Sequence, residues 1–94
     1  MRNYEAVLIF YPNTEEEKRT QILERFKGIV EEEGSVTKVD EWGLRKLAYT
    51  IDDLNEGYYV LVNFETNPEM VLELERVVKI SDSIMRHIII REDE

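Results

Sequence analysis

Four runs with the two-residue period of β-strands and two with the longer period of amphipathic helices follow one another as strand, helix, strand, strand, helix, strand. That order constrains the fold more than anything else in the 94 residues. Each strand–helix–strand half requires a right-handed crossover. Each helix carries one apolar stripe, so both must cover the same face of the sheet. The predicted class is α+β, a ferredoxin-like βαββαβ domain spanning 1–94. Its four strands form one antiparallel sheet with the first and third central, both helices on one face and the other face open.

The first strand is predicted over Tyr4–Tyr11, with Tyr4, Ala6, Leu8 and Phe10 on one face and Val7, Ile9 and Tyr11 on the other. Pro12-Asn13 ends it. Thr14-Glu15-Glu16-Glu17 has the spacing of a capping box, and the helix it opens is predicted to reach Glu33. Its stripe is Ile22, Phe26, Ile29 and Val30, with Leu23 at the edge. Gly28 is expected to permit close approach to the sheet, and Gly34 to stop the helix in a left-handed conformation. Ser35–Ile51 reads as a long strand that changes phase near Gly43, which predicts a bulge there. Asp52 to Gly57 reads as a turn-rich connection, and Gly57–Phe64 as the returning strand of a hairpin. Asn67 and Pro68 open the second helix as cap and first helical residue, with Val71, Leu74, Val77 and Val78 buried and Lys79 near its end. Ser81-Asp82-Ser83 turns the chain into a last strand, Ile84–Arg91, followed by an acidic end, Glu92-Asp93-Glu94, expected to fray. The open face should carry Val7, Ile9, Tyr59 and Leu61, more apolar than a bare solvent face.

Within the hairpin, Trp42-Gly43-Leu44-Arg45-Lys46-Leu47-Ala48-Tyr49 places Leu47, Tyr49 and Ile51 on one parity and Lys46, Ala48 and Thr50 on the other. Its Arg-Lys pair sits among Asp40, Glu41, Asp52, Asp53 and Glu56. A basic pair on a half-apolar strand suits either a surface for another molecule or a solvated face with snorkelling bases. The net charge of −9 opposes unaided binding to phosphates, but the acids fall mainly in the helices, a loop and the C-terminal end. The strands are neutral or slightly basic, so charge alone does not exclude RNA.

Catalytic chemistry has little to draw on. There is no cysteine, which excludes disulfides, thiolate catalysis and cysteine-ligated zinc. His87 is the one histidine, and in an apolar strand it reads as a hydrogen-bonded structural imidazole. Ser35, Ser81 and Ser83 stand at element ends, the glutamate runs 15–17 and 31–33 on solvated helix faces. No phosphate-binding glycine loop or metal-ligand spacing occurs. No enzyme, cofactor or metal is expected. The apolar run Ala6–Tyr11 is too short for a secretory signal, and no segment approaches a membrane span; a cytoplasmic protein is the simplest expectation. Domains that recognise RNA on this fold stack bases on exposed aromatics of the third strand. Gly57-Tyr58-Tyr59-Val60-Leu61-Val62-Asn63-Phe64 is similar but out of register, since Tyr58 and Phe64 take the helix-facing parity. An RNA-recognition or small regulatory binding domain is the alternative reading.

Arg2-Asn3-Tyr4-Glu5, the segment Trp42–Ile51, Gly57-Tyr58-Tyr59 and Met85-Arg86-His87 occur in an order that resembles the bacterial small-subunit ribosomal protein six family over essentially the whole chain. One departure is a short C-terminus without the long acidic tail of some members. The resemblance implies a structural component of the small ribosomal subunit. Such proteins bind the central domain of the small-subunit ribosomal RNA as a heterodimer with ribosomal protein eighteen, with no membrane and no small-molecule substrate. On that basis Arg2, Arg45, Lys46, Arg86 and Arg91 would contact RNA, with Tyr4 and His87 as weaker RNA candidates. Trp42, Leu44, Leu47 and Tyr49 would face the partner or pack against the core.

Overall fold

The computed structural model describes residues 1–51 and 54–92. In chain order it contains β1 (Arg2–Phe10), α1 (Glu16–Glu31), β2 (Ser35–Ile51), β3 (Leu54–Thr66), α2 (Pro68–Lys79) and β4 (Ile84–Glu92). The sheet order is β2-β3-β1-β4 with every pair antiparallel, so the first and third strands are central as the ferredoxin-like reading requires. Leu54, Asn55 and Glu56, expected in a loop, instead extend β3, and Glu92 belongs to β4 rather than to a frayed end. Asp52, Asp53, Asp93, Glu94 and the side chain of Ile51 lie outside the described residues.

One parity of the strands makes the core. Tyr4, Ala6, Leu8 and Phe10 of β1 stand opposite Phe64, Val62, Val60 and Tyr58 of β3. Leu23, Phe26 and Val30 of α1 and Leu74, Val77 and Val78 of α2 are buried over this face. Phe64 stacks on Tyr4 with ring centroids 5.6 Å apart and meets the edge of Phe26 at 5.5 Å, geometries that add to plain apolar burial. Tyr4 therefore leaves the set of RNA candidates: only 6% of its surface is exposed, and its ring is a core element.

Several local expectations are corrected. Thr14 does not cap α1. Glu15 holds the N-cap position without a side-chain bond, while the Thr14 amide donates to the Tyr11 carbonyl and the Thr14 carbonyl accepts from Arg19. A turn through Pro12-Asn13 thus holds Thr14 one residue before the cap. Asn67 is the N-cap of α2, yet its side-chain oxygen accepts no hydrogen bond from the helix, while its side-chain amide donates to the Glu33 carboxylate. The helix α1 ends at Glu31, and the Gly34 amide closes its last turn on the Val30 carbonyl. Gly34 is not left-handed; Gly43 is the glycine with positive φ, at +82°. The register shifts between Glu41 and Gly43, so the predicted bulge is present. Gly28 has open space where a Cβ would stand and brings no element closer.

Where α1 crosses the sheet, the Arg19 guanidinium lies 3.8 Å from the centre of the Tyr58 ring, and the Tyr58 hydroxyl donates to Glu41 Oε1 at 2.9 Å. The Glu41 hydrogen bond, followed by burial, raises the phenol above its ordinary value of 10.0, against a smaller opposing effect of Arg19. A raised pKa means the folded state retains the proton. The resulting stability is fully present below about pH 10 and is lost as pH rises through the folded value. The Tyr58→Phe variant is therefore expected to show a flatter alkaline limb in urea-melt stability than the parent chain. An unchanged alkaline limb would show that the hydroxyl does not carry this linkage.

Candidate functional site

The other parity of the strands forms an uncovered face that can be read row by row, in the order β2, β3, β1, β4. Ser35, Glu65, Asn3 and Glu92 make the first row; Lys38, Asn63, Glu5 and Ile90 the second. Asp40, Leu61, Val7 and Ile88 make the third, and Gly43, Tyr59, Ile9 and Arg86 the fourth. The face is polar and acidic at one end and apolar with cations at the other. Ile88 and Ile90 are 40% and 50% exposed, far more than a core strand allows.

Beyond the fourth row, the β2–β3 hairpin outruns β1 and curls over this face. Leu47 comes close to Gly57, which also lies beneath the Ile9 side chain and near the Met85 sulfur. Tyr49 reaches across to β4, where Arg86 Nη1 donates to its hydroxyl and the guanidinium lies 5.8 Å from the ring centre. The strong twist of a two-stranded ribbon accounts for this reach, which a flat sheet would not permit between strands three positions apart. Val7, Ile9, Leu47, Ala48, Tyr49, Tyr59, Arg86 and Ile88 enclose a hollow of about 200 Å³. Next to it Trp42, raised by the bulge, lies parallel to Tyr59 (centroids 6.3 Å apart, planes at 13°) and donates from Nε1 to Asp40 Oδ2 at 3.1 Å. Arg45 and Lys46 border an open depression with these two rings.

The expected site residues thus separate. Trp42, Leu47, Tyr49, Arg45 and Arg86 gather at the apolar end of the open face, and Lys46, opposite Glu56 in the helix-side register, borders the same depression as Trp42, Arg45 and Tyr59. Leu44 is 54% exposed but stands opposite Tyr58, in register with the helix-side parity. His87 also takes that parity, opposite Leu8, with Nε2 3.8 Å from a carboxylate oxygen of Glu75 on α2. Arg2 and Arg91 stand opposite Thr66 and Tyr4, at the far end of the sheet. Val7, Ile9, Tyr59 and Leu61 occupy the face predicted for them, and Tyr59 joins both hollows. Ile88 and Ile90 belong to the same surface. Their signal in the sequence was the alternation inside the run 88–90, which puts only Ile89 toward the helices. Among the described residues no cluster of three or more metal-ligating side chains forms, and no helix is long and apolar enough to cross a membrane.

The architecture defines a ferredoxin-like domain built around an uncovered sheet face that presents aromatic, aliphatic and guanidinium groups together. Residues 3–91 match the family model described as Ribosomal protein S6. The chain is 55% identical over 95 aligned positions to the small ribosomal subunit protein bS6 of Desulforamulus reducens, covering all of both chains. It is 54% identical over 94 positions to that of Alkaliphilus metalliredigens, again over the whole of both. The crystal structure of 30S ribosomal protein S6 from Thermotoga maritima superposes with a TM-score of 0.88 at 38% identity, covering 97% of this chain and 87% of that one. The chain belongs to the ribosomal protein S6 family.

Proposed function

We propose that this chain, a protein of the small ribosomal subunit, binds the central domain of the small-subunit ribosomal RNA together with ribosomal protein eighteen, as a heterodimer. One observation carries the reading: a single end of one sheet face brings apolar side chains (the exposed Trp42 and Tyr49 and the half-buried Leu47) alongside three cations (Arg45, Lys46, Arg86). The apolar groups supply what a protein partner covers, and the cations beside them supply what phosphates require. The role is structural, and the assignment of Arg45 and Lys46 to RNA follows from their exposure on the hairpin.

The Arg45→Glu, Lys46→Glu double variant is expected to weaken assembly onto the RNA–partner complex by at least about tenfold and to lower the salt slope by about two. Both side chains are exposed, so its melting temperature should stay near that of the parent. Normal assembly of this variant would remove the two bases from the RNA interface. The wider reading is checked by sedimentation: the chain should travel with small subunits through a moderate salt wash.

A further inference from the structure

On the helix side of the sheet, beneath the bulge in β2, three side chains form a clasp. Arg19 of α1 donates from Nη1 to the Thr14 carbonyl at 2.8 Å and lays its guanidinium 3.8 Å from the centre of the Tyr58 ring. Its Nε is buried without a hydrogen-bond partner, so the Thr14 carbonyl and the ring face hold this cation in place. Tyr58 in turn donates its hydroxyl to Glu41, a charge-assisted bond of 2.9 Å. That last bond spans the bulge. Tyr58 stands opposite Leu44 in the register, whereas Glu41 stands opposite Val60, and the extra residue lies between Glu41 and Leu44. Tyr59, next in the chain, takes the open face and stacks on Trp42, the residue after Glu41. Two adjacent tyrosines thus hold two adjacent residues of β2 from opposite faces of the sheet. Gly43, with φ at +82°, supplies the left-handed residue that the bulge requires.

We infer that Arg19, Tyr58 and Glu41 are positioning residues: from the helix side they fix the bulge between Glu41 and Gly43 and so hold Trp42 in one orientation on the open face. Trp42 is 44% exposed; its ring meets Tyr59 and its Nε1 bonds Asp40, both within the β2–β3 hairpin. Those contacts travel with the hairpin and do not fix it to the helices. Glu41, Trp42, Leu44, Arg45 and Lys46 are all exposed, so burial specifies the register of this stretch only weakly. The Tyr58–Glu41 bond supplies the missing constraint, because it sets how much strand runs between Glu41 and Leu44. Arg19 then ties the ring that carries the hydroxyl to the first turn of α1. An indole already ordered costs a binding partner less than one that must be immobilised on contact. Resting on the reading that ribosomal protein eighteen covers Trp42, the affinity for that partner depends on Arg19, although Arg19 lies on the opposite face of the sheet.

Trp42 is the one tryptophan, so indole fluorescence of the full chain reports its surroundings directly. Arg19→Ala, Tyr58→Phe and Glu41→Ala should each red-shift its emission and raise its quenching by acrylamide. The Tyr58→Phe, Glu41→Ala double variant should match either single one, since both remove the same bond. Glu41→Gln keeps an oxygen that accepts from the hydroxyl and should restore the parental emission. In calorimetric titration with purified ribosomal protein eighteen, the first three variants should bind about fivefold more weakly than the parent. Phe26→Leu is the control: it weakens the same helix layer beside Phe64 without touching the clasp, and its emission and affinity should stay within about twofold of the parent's. Parental emission in Tyr58→Phe and Glu41→Ala would overturn the positioning role. Equal changes in Phe26→Leu would overturn it too, because lost stability alone would then explain them. Shifted emission with parental affinity would remove the clasp from recognition. A parent chain that does not bind the partner would sink the pairing itself, while the emission of the free variants would still decide whether the clasp holds Trp42.

Discussion

Replacing Gly34 with alanine is expected to destabilise the chain by about 3 kcal/mol, the upper part of the usual range for overpacking a filled site. An added Cβ would enter the Glu65 carbonyl oxygen, with the Glu65 carbonyl carbon at 2.9 Å and the Thr66 Cα at 3.0 Å. These are backbone atoms of the central strand β3, held on both sides by β1 and β2, so no side chain can rotate away. Relief would require moving the α1–β2 turn, which is fastened by the Gly34 amide on Val30 and by the Asn67–Glu33 hydrogen bond. Gly28→Ala is the matched opposite. Gly28 is exposed on α1 with nothing near the added methyl, so the same substitution should stabilise by up to about 1 kcal/mol through helix propensity. Urea melts of the two variants should move in opposite directions; a Gly34→Ala midpoint close to the parent's would show that the turn yields at little cost.

These two glycines also mark how far the sequence could be read. Strand parity is a local property, and it placed Val7, Ile9, Tyr59 and Leu61 on the open face and Tyr58, Val60, Val62 and Phe64 toward the helices, as observed. The phase change at Gly43 was equally legible, because a bulge alters the pattern of the strand that contains it. A glycine outside such a pattern gives no comparable signal. Helix-stop glycines are usually left-handed, which is the expectation for Gly34, whereas the reason for a glycine there is Glu65, far along the chain. Tyr4 lies within a segment that resembles the family and contains Arg2, which makes it an RNA candidate, yet its own parity places it with Ala6 and Leu8 in the core. The meeting of Tyr49 with Arg86 was out of reach for another reason. Parity says which face a side chain takes, but only the accumulated twist of a hairpin that outruns its neighbour decides what lies across that face. Leu44 parts from Trp42 because the bulge between them changes the phase, and from Leu47 by strand parity alone.

The second large effect concerns RNA. The isolated chain is expected to bind a central-domain ribosomal RNA fragment at least about 100-fold more weakly at physiological salt than the same chain with ribosomal protein eighteen added. The chain has 21 acidic and 12 basic residues. Affinity for phosphates scales with the number neutralised, each steepening the salt dependence by roughly 0.9 in log–log slope. Arg45, Lys46 and Arg86 give this chain alone a small slope, and the repulsion between its carboxylates and the RNA offsets part of it. A basic partner would bring cations of its own and so raise the number of phosphates neutralised. The slope measured with the partner should therefore exceed that of this chain alone. Filter-binding titrations across a salt series supply both values, and tight binding by this chain alone at physiological salt would refute the dependence on a partner.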